Sequence, residues 1–113
     1  MRILQVSEAL TRGAAERLVI ELAEEFQRRD IENSVLCLSS PGEWAAQLED
    51  KGLYAGCLNK RRGADIRIAG RLRKRIREIA PDIVHSHLFT ANLWVRLASL
   101  GARKWGLVAT LHN

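Results

Sequence analysis

The three histidines of the chain are the residues best suited to chemistry. Each lies near the carboxyl end of an expected β-strand. His85 and His87 are two residues apart, so they face the same side of a strand. With His112 they could form a three-histidine zinc site. However, no nearby carboxylate or cysteine completes it, and two histidines at this spacing are often only hydrogen-bonded. We therefore expect no metal, a half-buried, hydrogen-bonded His85, and exposed His87 and His112 that can bind a sugar or phosphate.

A basic segment from Lys60 to Arg77 holds nine of the 18 lysine and arginine residues. Four of its cations share the face of the expected helix opposite an isoleucine and leucine stripe: Arg67, Arg71, Lys74 and Arg75. A solvated helix face is the simplest interpretation of this pattern. The functional interpretation is docking on anionic lipid headgroups. No aromatic side chain alternates with the cations to stack on bases, so we expect no nucleic-acid partner.

A short loop, Thr11 to Ala14, joins the first expected strand to an amphipathic helix. The helix N-terminus would direct free N–H groups above the sheet, where an anion such as phosphate is favoured. A plain turn, in which Gly13 only relieves backbone strain, explains the loop equally well. The chain has neither Gly-x-Gly-x-x-Gly nor Gly-Lys-Ser/Thr at this position. The sequence therefore argues against a nicotinamide dehydrogenase or a nucleoside triphosphatase.

Strands and helices alternate along the whole chain. Short apolar runs predict five strands, at Arg2–Ser7, Asn33–Leu38, Leu53–Leu58, Asp82–Ser86 and Gly106–Leu111. Four helical patterns separate them, from Ala15 to about Arg28, from Pro41 to about Gly52, after Asp65 to Ile79, and over Leu88–Leu100. This alternation predicts an α/β fold: a Rossmann-like parallel five-stranded sheet of order 3-2-1-4-5, with helices on both faces. We expect residues 1–113 to form a single domain.

Two helices carry more specific signals. Ser40 and Glu43 fit a capping box for the second helix, with Pro41 at the first helical position. In the fourth helix, Leu93, Leu97 and Leu100 are expected to face inward. In such a sheet a ligand binds between the first and fourth strands, beyond their carboxyl ends.

The composition suits a small folded domain with an anionic partner. The chain has 113 residues, 47% of them hydrophobic, and a net charge of +5. Cys37 and Cys57 lie in strand-like apolar runs and are expected to be buried free thiols. We find neither a signal-peptide core nor an apolar run of membrane-spanning length. We therefore expect a cytoplasmic protein.

Three motifs, in this order and spacing, resemble the N-terminal domain of GT-B glycosyltransferases, and most closely the retaining family-four group. They are Gly13-Ala14-Ala15-Glu16-Arg17, Pro81-Asp82-Ile83-Val84-His85-Ser86-His87, and Ala109-Thr110-Leu111-His112-Asn113. The similarity covers essentially the whole chain. It implies transfer of a sugar from a nucleotide-sugar donor to a glycan or lipid-linked acceptor, without a metal ion or cofactor.

The resemblance also implies roles for particular residues. Gly13 and Ala14 would approach the donor phosphates, although the family usually has a second glycine where this chain has Ala14. His112 would be the catalytic residue that contacts the donor sugar, and His87 would face the acceptor. The basic helix fits family members that act on lipid-linked acceptors at the inner face of a membrane, and polysaccharide assembly is the process that this resemblance suggests.

One departure from the family bears on activity. GT-B enzymes have two Rossmann-like domains, and the second makes most donor contacts. This chain corresponds to part of the first, so we expect the donor-binding domain to be supplied in cis or in trans and the chain alone to be inactive. Two alternatives stay open: a stand-alone Rossmann-like module that binds a nucleotide or a partner without catalysis, and a zinc-dependent hydrolase built on the three histidines.

Overall fold

The computed structural model of the chain describes residues 1–10, 14–61, 66–101 and 104–110. A five-stranded parallel sheet forms its centre, with the order β3-β2-β1-β4-β5. This confirms the predicted fold and strand order. The strands are β1 (Arg2–Ala9), β2 (Glu32–Ser40), β3 (Tyr54–Cys57), β4 (Ile83–His87) and β5 (Gly106–Thr110).

Four helices connect the strands and cover both faces of the sheet. They are α1 (Ala14–Arg28), α2 (Trp44–Asp50), α3 (Arg67–Ile79) and α4 (Leu88–Ala98). Helices α1 and α2 pack on what we call the first face, over a core that includes Val35 and Cys37. Helices α3 and α4 pack on the second face, over Leu4, Val6 and Val84. Successive strand residues alternate between the two cores, as the two-residue period of a strand requires. No helix among the described residues is long and apolar enough to cross a membrane.

The predicted start of α2 was wrong. The helix begins at Trp44 rather than Pro41, and the side chain of its N-cap residue, Glu43, makes no cap hydrogen bond. Gly42 has a φ of +58°, which a right-handed helix excludes, so the helix cannot begin until after it. The amide of Trp44 donates instead to the carbonyl of Leu10, at 3.1 Å. Helix α2 is therefore fixed to the end of β1 through the backbone.

The predicted inward face of α4 was also wrong. Its buried residues are Ala91, Trp94, Val95 and Ala98. The three leucines expected inside are exposed: Leu93 by 42%, Leu97 by 40% and Leu100 by 65%. The helix is apolar around most of its circumference, so hydrophobic periodicity alone did not fix its rotation. The chosen face buries the large indole of Trp94, while two alanines allow close approach to the sheet.

Helix α3 is oriented as its sequence predicts. Ile68, Leu72 and Ile76 are fully buried. The helix ends at Ile79, and Ala80 follows it in the left-handed conformation with a φ of +54°. Its amide donates to the carbonyl of Ile76 at 2.8 Å, which closes the last turn before Pro81.

Strand β3 is one residue shorter at each end than the predicted Leu53–Leu58, and it is irregular at Gly56. This residue has a φ of +109°, a conformation that L side chains rarely adopt. The register of β2 and β3 shifts at this point, between Val35 and Leu36. The four residues of β3 form one edge of the sheet.

Candidate functional site

The order of the strands reverses between β1 and β4, which are hydrogen-bonded neighbours. From β1 the chain continues to β2 and β3 on one side of the sheet, and from β4 it continues to β5 on the other. Ligands of such sheets bind at this switch point, beyond the carboxyl ends of the strands. Strand β1 ends at Ala9. Strand β4 ends at His87, and α4 begins directly after it at Leu88. The residues around these two ends therefore form the candidate site.

His87 lies beneath this edge rather than on it. Its side chain is 1% exposed, so the prediction that it is exposed was wrong. Its Nε2 lies 2.8 Å from Oε1 of Gln5, which is itself fully buried on β1. The amide nitrogen of Gln5 donates to the carbonyl of Val19 in α1, at 3.2 Å. Because Gln5 Oε1 can only accept, the imidazole Nε2–H is the donor. The pair links β4, β1 and α1.

His85 is half-buried and hydrogen-bonded, as predicted. Its Nε2 lies 2.6 Å from the hydroxyl of Thr110 on the neighbouring strand β5. The rings of His85 and His87 lie on the same side of β4, with centroids 4.2 Å apart and planes tilted by 32°. Both Nε2 atoms thus serve interstrand contacts. Within the described ranges, no three histidine, cysteine or acidic side chains are grouped to hold a metal. His112, the third residue of the zinc hypothesis, lies outside them.

A second polar group, missed by the sequence analysis, lies at the ends of β1 and β2. Here the carboxylate of Glu8 accepts a hydrogen bond from the hydroxyl of Ser39. The ammonium of Lys60 lies 3.6 Å from Glu8 Oε1, and its side chain is only 6% exposed. Lys60 also donates to the carbonyl of Arg61 at 3.1 Å. We call Glu8, Ser39 and Lys60 the edge cluster.

The edge cluster has unused hydrogen-bonding capacity. The second carboxylate oxygen of Glu8, Oε2, is buried and has no partner among the described residues. A carboxylate oxygen in this state is a strong acceptor for a ligand hydroxyl. The sequence held one signal for this group, since Glu8 directly follows the first predicted strand, Arg2–Ser7, and Lys60 lies in the loop after the third, Leu53–Leu58. Glu8 and Lys60 come into contact because β2 lies between β1 and β3, and the three parallel strands end at the same edge of the sheet.

The predicted phosphate-binding loop is described only in part. Ala14 is the first residue of α1, the helix that follows β1 in the chain. This is the position at which a helix N-terminus favours an anion. Gly13 and His112 lie outside the described residues, so their roles stay predictions.

Three of the four predicted surface cations are exposed in the structure, and the fourth is half-buried. Arg67, Arg71 and Lys74 are exposed on α3. Arg75 is half-buried, and its guanidinium donates to the carbonyl of Ala55 on β3 at 2.9 Å. Arg75 therefore braces the helix against the sheet and does not share the exposed face of the other three.

The two cysteines lie opposite each other on β2 and β3, and both are free thiols. Cys37 is buried, as predicted, whereas Cys57 is only half-buried. Burial raises the pKa of the Cys37 thiol far above its usual range, and the neighbouring Cys57 adds to this shift. Burial also raises the pKa of Tyr54, whose hydroxyl lies 4.0 Å from Cys37 Sγ.

Cys37 should therefore resist alkylation in the folded protein. At pH 8 we expect iodoacetamide to modify Cys37 at least about a hundredfold more slowly than an unfolded thiol. The reason is that the thiolate is the reactive form, and each unit by which the pKa is raised lowers its fraction about tenfold. Mass spectrometry of the Cys57→Ser variant, with and without guanidinium, measures this rate. Equal rates in the two conditions would contradict the buried position of Cys37.

A parallel sheet with a switch point, and a helix that begins beyond its first strand, defines the chain as a Rossmann-like domain. The model of Glycosyltransferase Family 4 matches residues 15–113. The chain therefore belongs to Glycosyltransferase Family 4, and the resemblance to a GT-B N-terminal domain is confirmed. In comparisons with curated proteins and with solved structures, nothing matched this chain. The family identifies a sugar donor and an acceptor as the general partners of the domain.

Proposed function

We propose that this domain forms the acceptor side of a retaining glycosyltransferase. The enzyme would transfer a sugar from a nucleotide-sugar donor to a glycan or lipid-linked acceptor, without a metal ion or cofactor. The family match over residues 15–113 carries this proposal. The sheet supports it, because the ends of β1 and β4 and the start of α1 converge at one edge.

The donor would lie at the start of α1. Gly13 and Ala14 would contact its phosphates, which the N–H groups of the first helical turn attract. His112 would contact the transferred sugar as the catalytic residue. In a retaining enzyme, such groups orient the donor and stabilise developing charge, rather than acting as the general base of an inverting reaction.

The acceptor would bind beside the edge cluster. The side chain of Glu8 is partly exposed, its Oε2 has no partner among the described residues, and it would accept a hydrogen bond from a sugar hydroxyl. The ammonium of Lys60 lies 3.6 Å from Glu8 Oε1 and would donate to a phosphate of the acceptor. His87 would act on the acceptor side as a positioning residue. It lies beneath the site and holds β4 against β1 through its hydrogen bond to Gln5.

The remaining donor contacts would come from outside these 113 residues, in the same chain or in a second one. The chain alone would then bind ligands without transferring sugar. A cytoplasmic enzyme at the inner face of a membrane, acting in polysaccharide assembly, fits this proposal. The exposed cations of α3 would contact anionic headgroups there.

The experiment is a transfer assay with radiolabelled UDP-, GDP- and ADP-sugars and a membrane lipid extract as acceptor. We expect transfer only when the 113-residue chain is combined with the donor-binding domain encoded after Asn113 or in a neighbouring gene. The anomeric configuration of the product, determined by NMR, should match that of the donor. Stoichiometric nucleotide binding without transfer by either preparation would instead support a non-catalytic binding module.

A further inference from the structure

The fold separates charge between the two faces of the sheet. On the first face, α1 and α2 together carry six acidic and two basic residues. On the second face, α3 and α4 carry seven basic residues and one acidic residue, Glu78. The net charge of the chain is only +5, so this separation is stronger than the composition suggests. The second face is therefore suited to an anionic partner.

The second face also carries an exposed apolar stripe. Phe89 is 72% exposed, and Leu93, Leu97 and Leu100 follow it at intervals of four, four and three residues. The spacing of four places Phe89, Leu93 and Leu97 in one row along α4, and Leu100 follows two residues past the end of the helix. The helix is about 16 Å long and contains no acidic residue. We call this row the α4 stripe.

The α4 stripe lies beside the cations of α3. The guanidinium of Arg73 crosses from α3 to the carbonyls of Ala98 and Leu100, at 3.2 and 2.6 Å, and holds the helices side by side. Ile66, directly before α3, adds another exposed apolar side chain, at 81%. Four further cations point outward from α3: Arg67, Arg71, Lys74 and Arg77.

We infer that the second face docks on an anionic lipid bilayer through both components at once. The α4 stripe enters the boundary between headgroups and acyl chains, and the α3 cations contact the lipid phosphates. This inference extends the membrane contact proposed above and rests on that part of the proposed function, not on sugar transfer. It identifies α4, which the sequence analysis placed inside, as the inserting element.

Charge and position favour a lipid surface over a second copy of the chain. Two copies meeting through this face would bring together two sets of the four outward-pointing α3 cations, and like charges repel at close range. Helix α4 also follows β4, whose carboxyl end forms part of the candidate site, and α3 packs beside it. Docking through their outer faces would therefore hold that site next to the bilayer, where a lipid-linked acceptor arrives.

The test is cosedimentation of the purified protein with vesicles of phosphatidylcholine, alone or mixed equally with phosphatidylglycerol, at low salt. We expect binding only to the mixed vesicles. The double variant Leu93→Gln, Leu97→Gln should lower the partition coefficient about tenfold, since it removes two apolar side chains from the boundary. Arg71→Ala with Lys74→Ala should lower it about fivefold for each cation removed.

Two matched controls separate the surface from general properties of the chain. Arg17→Ala with Arg28→Ala removes the same charge from the first face, and Val108→Thr changes an exposed apolar residue on β5. Both should bind as the unaltered protein does. Equal losses in the charge variant and its control, full binding by the leucine variant, or no binding at all would each overturn the inference. So would concentration-dependent self-association that the leucine variant abolishes.

The vesicle assay needs neither donor nor acceptor. Sugar transfer without vesicle binding would therefore overturn the docking surface and leave the enzyme intact. Vesicle binding without sugar transfer would support the docking surface and contradict the proposed enzyme activity.

Discussion

Replacing His87 by alanine is expected to lower the free energy of unfolding by about 3 kcal/mol. The imidazole is 1% exposed and donates to the buried Gln5 at 2.8 Å. Its removal leaves Gln5 Oε1 without a partner and opens a cavity beside the ring of His85. Because Gln5 also holds α1 through Val19, the loss should affect the whole junction of β1, β4 and α1.

Urea unfolding followed by circular dichroism measures this effect. His85→Ala is the matched control, since it removes the same ring from the same strand at a half-buried position, and it should cost only about 1 kcal/mol. Similar losses in the two variants would contradict the structural role of His87. A His87→Ala protein of normal stability but weakened acceptor binding would place His87 in direct contact with the acceptor.

Replacing His112 by alanine is expected to act on the reaction instead of the fold. If His112 contacts the donor sugar, its loss should lower kcat for transfer by about a hundredfold to a thousandfold, as for removal of one preorganised group that stabilises transition-state charge. The measurement is the initial rate of transfer under saturating donor, in the preparation that contains the donor-binding domain. The free energy of unfolding should stay within about 0.5 kcal/mol of the unaltered protein.

Asn113→Ala is the control for His112, since it alters the adjacent residue, to which no role is assigned. We expect it to keep the full rate. A His112→Ala enzyme with an unchanged rate would exclude the catalytic assignment. A rate loss accompanied by an equal loss of stability would make His112 a structural residue, like His87.

The sequence alone determined the architecture of the domain. Strand order and parallel pairing followed from the alternation of short apolar runs with helical patterns, since consecutive parallel strands require such crossovers. The buried stripe of α3 was equally clear, because its apolar residues occupy one side of a strongly cationic helix. The three motifs around Gly13, His87 and His112 were enough to identify the family that matches residues 15–113.

Rotation of α4 and the start of α2 depended on information that local patterns do not contain. An almost entirely apolar helix has several faces that could be buried, and packing against the sheet selected the one with Trp94. The predicted capping box around Ser40 was locally consistent. Gly42 then adopted a left-handed conformation, and α2 was fixed to Leu10 through the amide of Trp44.

The candidate site shows the same division between local and long-range information. The sequence placed His85 and His87 at the end of one strand and on one side of it, because residues two apart on a strand share a face. Only the tertiary structure buried His87, by extending β4 by one residue and bringing Gln5 and α1 against it. Likewise, Glu8, Ser39 and Lys60 are far apart in the chain and meet only because parallel strands end at a common edge. Local periodicity thus determined which elements form, and long-range packing decided which of their side chains face a ligand, the core or a membrane.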